Sequence, residues 1–487
     1  MSTRPAVLTE MGSTASPDQR RALLAIVLGT TLIRLLAGAF IPLLDDEAHY
    51  WVWARHLMWG YPDHPPMIAG LVALGTRLLG DSVLGIRLFP VMIGTASTLA
   101  IYALARRLFS PAAGLRAALL FQVIPALAAN GIMAAPDAPL GVFWLLAMLL
   151  GWMATTGAGW AWPAAGAAAG LAIQCKLAGG ALALSLAGFI LASPSQRRWL
   201  RTPGPYLAVL AGLLMVAPLI IWNMEHDWAT FRRAAVVEPW IQPTNIVGNV
   251  AALLGVQFVY YAPLGFPLMV AGLIAAFRMA RSDERFRYLM WCAVPTLVVV
   301  LLGATRSLAK PHYTGPALLS GILAASALWI QWRNQRLLRA GVISSAAILL
   351  TVLLMAAIPN PVLGFFHSEA HAWQKVAVEV ERLLPTLGPA GQTFVLAEDY
   401  QAGSQLAFAT RARVHVVVPF RGFTLWEPPE RWLGRNGLLM DHLGGARFQR
   451  LENAFARLEA PYSIPVRPGY SIRLYPGYKF EGWEDGR

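Results

Sequence analysis

The chain has 487 residues, of which 56% are hydrophobic and only 13% are charged, and its mean hydropathy is +0.51. About a quarter of the residues of an ordinary globular protein are charged, so this composition excludes a single water-soluble domain of this size. The formal net charge is +13, but the arginines lie in short polar breaks between apolar runs. That pattern favours membrane topology and contact with anionic lipid headgroups over nucleic-acid binding.

Apolar runs of roughly 18–25 residues, long enough to cross the hydrocarbon of a bilayer, recur along most of the chain. They predict a mainly α, polytopic membrane bundle of about eleven spans, with an upper count of about thirteen. The least certain helices are the short pair around Lys176 and the long 250–277 run, in which Pro263 and Pro267 are candidates for a break. The predicted helices are 21–44, 86–107, 112–130, 138–156, 160–175, 177–192, 205–222, 250–277, 288–304, 312–330 and 340–358.

Loop charges predict the orientation of this bundle. With a cytoplasmic N-terminal tail at 1–20, the arginine clusters fall in inner loops, as the positive-inside rule requires. The outer loops then carry most of the acidic and histidine residues that lie outside the C-terminal tail. We therefore predict an integral membrane protein with a membrane domain at 21–358, whose outer loop 45–85 and C-terminal tail lie on the side of the membrane away from the cytoplasm.

The tail at 359–487 differs in texture from the rest of the chain. It has regular charge, Gly/Pro turns, a predicted helix at 369–384 and short β-type runs at 393–397, 414–418 and 471–475. These features predict a small α/β domain on the outer face. The chain has two cysteines, Cys175 and Cys292, and both lie in apolar segments, so they indicate neither a disulfide framework nor a metal motif.

The first outer loop opens with the motif DEAHYW, from Asp46 to Trp51, directly after the first predicted span. Consecutive carboxylates at a membrane boundary need water, a cation or a reacting partner. As a helix, the segment 46–58 would place Asp46, His49 and His56 on one face. The alternative is an amphipathic helix lying on the membrane surface, whose acidic start complements the helix dipole.

Two further acidic motifs follow in predicted outer loops. YPDHPP holds Asp63 and His64 in a turn fixed by prolines, before a second apolar helix at about 67–79. APDAP places Asp137 where the third span turns into the fourth. Asp137 is a candidate site residue and equally a candidate helix N-cap, because Pro139 follows it.

These three motifs, in this order, resemble the bacterial branch of the dolichyl-phosphate-mannose protein mannosyltransferase superfamily. The broad glycosyltransferase family 39 and the aminoarabinose transferases that act on lipid A are the relatives they look like. The resemblance covers roughly residues 20–320. It implies a GT-C fold, in which a bundle of membrane helices carries first-loop helices that lie on the periplasmic surface.

The resemblance also implies roles for particular residues. Asp46 matches the first-loop aspartate of the family, taken as the general base, with Glu47 beside it. Asp137 matches a second acidic residue of the site. The motif QCKL places Lys176 where the family has a lysine near the donor phosphate, and KPHY, which begins at Lys310, resembles another outer-loop motif.

One motif departs from the aminoarabinose transferases. Their proline-rich motif reads Glu-Lys-Pro-Pro, where the acid can bind a metal and the lysine meets phosphate. Here the same place holds Asp63 and His64. A divalent metal site would then use Asp63, His64 and another outer histidine such as His226, while the alternative for His64 is a hydrogen-bonding or headgroup contact. No cofactor is otherwise indicated.

A mechanism follows from these residue types. Asp46 would accept the proton of an acceptor hydroxyl as its oxygen attacks the anomeric carbon. Lys176, helped by Arg87, His64 or Lys310, would stabilise the negative charge that grows on the leaving phosphate.

Two basic residues have simpler alternatives. Lys176 could extend to the headgroups and do nothing else. The whole chain has only four lysines, however, and two of them, Lys176 and Lys310, fall on the predicted outer face of the membrane part. That placement departs from the positive-inside rule and favours a phosphate contact at Lys176. Arg34, inside the first span, is predicted to pair with a buried acid.

The predicted function is therefore transfer of a sugar from a polyprenyl-phosphate donor to an envelope glycolipid or glycan, with inversion at the anomeric carbon. The inversion rests on the resemblance alone. A protein acceptor, as for protein O-mannosyltransferases, is one alternative. The other is a flippase or transporter of lipid-linked sugars, which intramembrane charge and helix breaks would suit. No nucleotide-sugar motif or nucleic-acid site is indicated.

Overall fold

The computed structural model describes residues 14–235, 246–305, 310–329, 335–358, 365–420, 422–442, 446–467 and 470–483. Most of the predicted N-terminal tail lies outside these residues. The mainly helical fold with a small C-terminal sheet confirms the predicted fold class. Helices and strands are numbered in chain order.

The helices, in chain order, are α1 Pro17–Phe40, α2 Asp45–Arg55, α3 Met67–Leu79, α4 Val83–Leu108, α5 Pro111–Val123, α6 Pro125–Ala129, α7 Asp137–Thr155, α8 Ala161–Cys175, α9 Gly180–Ala192, α10 Gly204–Glu225, α11 Ala229–Ala235, α12 Ile246–Tyr260, α13 Gly265–Met279, α14 Glu284–Ala304, α15 Gly315–Leu328, α16 Gln335–Ala357, α17 Phe365–Leu387, α18 Tyr400–Ala409 and α19 Ala446–Leu451. The strands are β1 Phe394–Ala397, β2 Val416–Val417, β3 Gly437–Asp441, β4 Phe455–Leu458, β5 Tyr462–Arg467 and β6 Tyr470–Phe480.

Six helices among the described residues are long and apolar enough to cross a membrane: α1, α4, α7, α10, α14 and α16. A seventh span is counted if the bent pair α12–α13 is taken as one. Several of the other predicted spans correspond to shorter apolar helices, such as α5 and α9. The chain is therefore an integral membrane protein, and the predicted count of about eleven spans stays a prediction.

Prolines divide two of the predicted helices. The predicted 112–130 helix breaks at Ile124, whose backbone is extended because Pro125 follows it. The predicted 250–277 helix bends by 115° between α12 and α13, where Ala262 takes a positive φ of 69° just before Pro263. The break that Pro263 and Pro267 predict in this run is confirmed.

The chain divides into two compact units. The first, called here the membrane unit, comprises Met1–Gly38, Asp63–Ile68 and Arg87–Val352. The second unit comprises Ala39–Pro62, Ala69–Ile86 and Leu353–Arg487. It therefore joins most of the first outer loop to the C-terminal tail, whereas the sequence boundary at 358/359 placed that loop in the membrane domain.

Glycines let helices of the membrane unit pack closely. Gly166 and Gly170 of α8 face the backbone of α10, and a Cβ built on Gly166 would lie 1.8 Å from the Ala208 carbonyl oxygen. Gly272 of α13 and Gly321 of α15 meet in the same way. Small residues at this spacing allow membrane helices to approach each other through backbone contacts.

The second unit contains a six-stranded mixed sheet in the order β2-β1-β3-β6-β4, with β5 also paired to β6. Strand β1 is parallel to β2 and β3, and the pairings of β6 are antiparallel. Aromatic and aliphatic side chains fill one core against this sheet, among them Phe394, Trp432 and Phe455. The sheet and the helices α17 and α18 form the α/β domain that the tail predicts.

Candidate active site

An ion pair between Asp137 and Lys176 is the centre of the candidate site in the membrane unit. The Lys176 Nζ lies 3.0 Å from Asp137 Oδ1 and 3.1 Å from Oδ2. The two side chains are only 18% and 12% exposed, respectively. Asp137 begins α7, where a negative charge complements the helix dipole. Lys176 lies just after α8, where its backbone is extended. Its side chain therefore leaves the direction that the residues of α8 follow.

A short turn that begins at Lys310 adds two groups to this site, the Tyr313 ring and the Lys310 ammonium. The 3-10 helix Pro311–Thr314 is held by Thr314, whose hydroxyl donates to Gln257 Oε1 at 2.9 Å. The Lys176 ammonium lies 5.0 Å from the centroid of the Tyr313 ring. Lys310 is exposed at the start of this turn, so its charge is available at the surface of the unit.

His64 and His312 lie within electrostatic range of the ion pair. Burial, together with the charge of Lys176, lowers the pKa of His64 to about 3. Burial and Lys176 also lower the pKa of His312 to about 4. Both imidazoles are therefore neutral at neutral pH, and each can donate one N–H to an anion. The structure thus brings together His64, Asp137, Lys176 and Lys310, four of the predicted site residues.

A cavity of roughly 580 Å³ of empty space, its mouth included, lies in the membrane unit beside Asp137 and His312. Tyr260 and Tyr261, at the end of α12, contribute aromatic side chains to its wall. Its mixed aromatic and polar lining is typical of a small-molecule site. No motif marks the two tyrosines, because they lie within a long apolar run.

The predicted metal ligands do not converge. Asp63 Oδ1 accepts from the Arg233 guanidinium at 3.2 Å, and His226 stacks on Trp222 and contacts its carbonyl oxygen at 2.8 Å. Within the residues described, no three His, Cys, Asp or Glu side chains form a group that could hold a metal ion. The structure therefore does not bring Asp63, His64 and His226 together, and the metal site stays a prediction.

Arg87 is fully buried in the membrane unit. Its Nη1 donates to the carbonyl oxygen of Gly38, near the end of α1, at 3.2 Å. This contact fixes the end of the helix that leads into the acidic motif. The predicted phosphate contact of Arg87 stays a prediction.

In the second unit, α18 holds the acidic start of α2. Asp45 accepts from Gln405 Nε2 at 2.8 Å, and Asp46 accepts from the Tyr400 hydroxyl at 3.3 Å. Glu47 is only 2% exposed and accepts from the backbone N–H of Leu44 at 3.1 Å, so it closes the first turn of the helix. Asp46 is the exposed carboxylate of the three.

His49 of the same helix is buried among aromatic rings of the second unit. Its Nδ1 lies 3.2 Å from the Ser404 hydroxyl, and its ring stacks with that of Phe423 at 5.8 Å. The partners of α2 come from the distant C-terminal segment, so no spacing in the first loop reveals them. The acidic motif is thus part of a folded helix with specific contacts.

The membrane helices, Asp137, Lys176 and the acidic start of α2 are elements that the resemblance to GT-C glycosyltransferases implies. Residues 63–222 match the family described as dolichyl-phosphate-mannose-protein mannosyltransferase. The lipid A galacturonosyltransferase RgtD of Rhizobium johnstonii is 30% identical over 326 residues, which span 64% of this chain and 66% of that protein. The family match and this relative bear out the resemblance to family 39 that the motifs carry.

Solved structures show the same fold. ArnT from Cupriavidus metallidurans bound to undecaprenyl phosphate superposes with a TM-score of 0.65 at 16% identity, covering 95% of this chain and 98% of that one. The oligosaccharyltransferase AglB from Archaeoglobus fulgidus, in complex with an inhibitory peptide and a dolichol-phosphate, gives a TM-score of 0.51 at 15% identity, covering 87% and 70%. These similarities confirm the GT-C fold.

Proposed function

We propose that this chain transfers a sugar from a polyprenyl-phosphate carrier to a glycolipid of the lipid A type. The observation that carries the proposal is the Asp137–Lys176 pair, which lies beside a cavity and within range of His64, His312 and Lys310. A leaving phosphate gains negative charge in the transition state. Fixed cations and N–H donors in a partly buried site stabilise such charge far more than water does.

In the proposed reaction, an acceptor hydroxyl oxygen attacks the anomeric carbon of the donor sugar. The new glycosidic bond forms as the bond between that carbon and the phosphate oxygen breaks, and the electron pair leaves with the polyprenyl phosphate. Lys176 offsets the added charge, and Asp137 positions the ammonium. Asp46, whose carboxylate is exposed, takes the proton of the hydroxyl as general base. A single displacement of this kind inverts the anomeric centre.

Similar proteins support the donor and the acceptor separately. ArnT and AglB were solved with undecaprenyl phosphate and a dolichol-phosphate, which supports a lipid-linked donor. RgtD is named for transfer to lipid A, which supports a glycolipid acceptor. The arginine-rich inner loops support an active site on the periplasmic side of the inner membrane.

The test uses full-length protein in proteoliposomes, a radiolabelled polyprenyl-phosphate sugar and lipid A. Wild type is expected to move label to lipid A. Asp46→Asn and Lys176→Met are each expected to lower the rate about 100-fold or more, and Lys375→Met, at an exposed lysine of α17, serves as the matched control. Equal transfer by wild type and Asp46→Asn would remove Asp46 as the base.

Other products would point to the alternative functions. Label on added protein in place of lipid A would indicate a protein O-glycosyltransferase. Movement of the donor across the bilayer with no transfer would indicate a flippase. Mass spectrometry of the lipid product identifies both the sugar and its point of attachment.

A further inference from the structure

Three arginines lie together between α9 and α10 of the membrane unit. The segment RRWLR forms a 3-10 helix, Arg197–Arg201, called here the arginine turn. The side chains of Arg197, Arg198 and Arg201 are all exposed. In the part of the chain that the structure describes, none of these guanidiniums forms an ion pair with a carboxylate. The turn thus carries three positive charges that no described residue neutralises.

Hydrogen bonds fix the arginine turn to two other helices. Gln196 is buried, and its Nε2 donates to Glu284 Oε1, at the start of α14, at 2.9 Å. The indole N–H of Trp199 lies 2.9 Å from Gln196 Oε1 and 3.1 Å from the carbonyl oxygen of Thr155, the last residue of α7. The arginines are therefore carried by a segment with defined contacts to α7 and α14.

The acids at the start of α14 already have other partners. Glu284 Oε1 also accepts from the Ser195 hydroxyl at 2.5 Å. Asp283, the residue before it, pairs with Arg285 at 2.6 Å. These carboxylates serve to hold the loops together, so the arginine turn is open to an anion from outside the protein.

The arginine turn joins two apolar helices at their ends. α10 is long and apolar enough to cross a membrane, and α9 is apolar but shorter. Leu191 near the end of α9 and Leu207 near the start of α10 are exposed. Tyr206 is exposed too, and its hydroxyl donates to the carbonyl oxygen of Leu200 at 2.9 Å. Tyrosine is enriched where the acyl chains meet the headgroups, so this position suits contact with lipid headgroups.

The arginine turn differs in this respect from Arg34, the intramembrane arginine of α1. Arg34 is buried and donates to Gln122 Oε1 at 2.6 Å. No described carboxylate pairs with it, so the predicted pairing with a buried acid is not met by any described residue. A side chain so buried is closed to a headgroup, whereas the three exposed arginines are open to one.

We propose that the arginine turn is a binding site for the headgroup of an anionic phospholipid from the surrounding bilayer. The planar guanidinium matches the geometry of a phosphate and can donate two hydrogen bonds to it. The Arg198 guanidinium carbon lies 5.1 Å from the centroid of the Trp199 ring, and this contact orients it. A zwitterionic lipid offsets its phosphate with its own ammonium, but an anionic lipid brings a net negative charge to the turn.

The predicted orientation agrees with this partner. The loop charges predict that the arginine turn lies on the cytoplasmic side, where anionic lipids give the leaflet a negative surface potential. The proposal goes beyond the proposed function and does not depend on it, because no sugar or acceptor takes part in the binding.

The test measures the melting temperature of the full-length protein in a neutral detergent as phosphatidylglycerol or phosphatidylcholine is added. Wild type should be stabilised by phosphatidylglycerol at a concentration at least about 10-fold lower than by phosphatidylcholine. Arg197→Gln/Arg198→Gln should raise the phosphatidylglycerol concentration required by about 10-fold or more. The matched control is Arg106→Gln/Arg107→Gln, which removes two exposed arginines at the end of α4 and should change it by less than about 3-fold.

Two single variants separate the site from a folding defect. Trp199→Phe keeps every charge but removes the indole N–H that contacts Gln196 and Thr155, so it should raise the phosphatidylglycerol concentration required by about 3-fold or more. Arg201→Gln changes an exposed side chain that makes no hydrogen bond to a described residue, and it should raise that concentration about 5-fold. Size-exclusion profiles and melting temperatures without added lipid establish which variants fold.

Three results would overturn the proposal. Equal weakening in the two double variants would indicate a general attraction of positive loops to the bilayer. An unchanged requirement for phosphatidylglycerol in Arg201→Gln and in Arg197→Gln/Arg198→Gln would show that the turn does not bind it. Equal stabilisation of wild type by inorganic phosphate at the same concentration would indicate a site for a free anion. None of these assays contains a sugar donor, so their failure is distinct from a failure of the proposed function.

Discussion

The sharpest test of the site is a double-mutant cycle on the Asp137–Lys176 pair. Asp137→Asn removes the negative partner and leaves an ammonium in a partly buried position, and Lys176→Met does the reverse. The double variant removes both charges and keeps the approximate volume of both side chains. If the pair acts as one unit, the effect of the double variant on stability and on activity is smaller than the sum of the two single effects.

The structure sets the expected size of this coupling. Breaking a buried ion pair by removing one partner costs about 3–5 kcal/mol. The side chains here are 18% and 12% exposed, so water screens part of the charge and the lower end of that range applies. Losing the charge at the start of α7 adds about 0.3–1 kcal/mol for Asp137→Asn. We expect a coupling free energy of about 2 kcal/mol.

The assay measures both unfolding in detergent and sugar transfer in proteoliposomes. Each single variant should lose about 100–1000-fold in kcat, and the double variant should be no slower than Lys176→Met. Asp18→Asn, at an exposed acid of α1, is the matched control. Effects on stability and on kcat that add to within about 0.5 kcal/mol would show that the two residues act independently, and would refute the assignment of Asp137 as the group that positions Lys176.

Three other changes test neighbouring features. Tyr400→Phe should lower kcat about 3–10-fold and shift the pH–rate profile, because it removes the hydroxyl that donates to Asp46; an unchanged profile would contradict this role. Burial holds the pKa of His64 at about 3 and that of His312 at about 4, below the value of 6.5 in the unfolded chain. The contribution of these neutral imidazoles to the free energy of unfolding should therefore be complete above pH 6.5. It should be lost as pH falls towards 4. His64→Gln should flatten that part of a melting-temperature profile, and a curve as steep as that of wild type would argue against it. Gly166→Val should lower the free energy of unfolding in detergent by about 1–3 kcal/mol, since a Cβ at this position would meet the backbone of α10. An unchanged melting temperature would show that α8 and α10 separate there without cost.

Hydropathy predicted the helices that are bounded by polar or turn residues on both sides. The predicted 67–79 helix is α3 without change, and the predicted 138–156 and 160–175 helices match α7 and α8 to within one residue at each end. The breaks at Pro125 and Pro263 are local effects of proline on the residue before it. Hydropathy alone does not register them, because the apolar run continues on both sides of the proline.

The tail was harder to predict. Its helix α17 and the strands β1, β2 and β6 fall on predicted segments, but β3, β4 and β5 do not. Their partner β6 pairs with all three, so they are defined by a non-local contact.

The members of the site were predictable but their contacts were not. Asp137 and Lys176 were chosen by their resemblance to family motifs, and their bond joins residues 39 positions apart. Arg233, the partner of Asp63, and Tyr400, the partner of Asp46, were missed because each lies far along the chain in a segment without a motif. A polar contact of this kind appears only when two segments that are distant in the sequence have been brought together.

The pairing of Lys176 explains how a site for phosphate can exist in a partly buried position before any phosphate arrives. An isolated ammonium there would be costly to desolvate, and Asp137 removes most of that cost in the resting state. Lysine also suits the exchange of partners, because its ammonium has three donors on a flexible stem, whereas the planar fork of arginine would bind both carboxylate oxygens in one rigid geometry. Neutral His64 and His312 add N–H donors without adding charge. Under the proposed function, the site would become strongly cationic towards its ligand only as Lys176 turns from Asp137 to the leaving phosphate, and strong coupling in the double-mutant cycle would support this account.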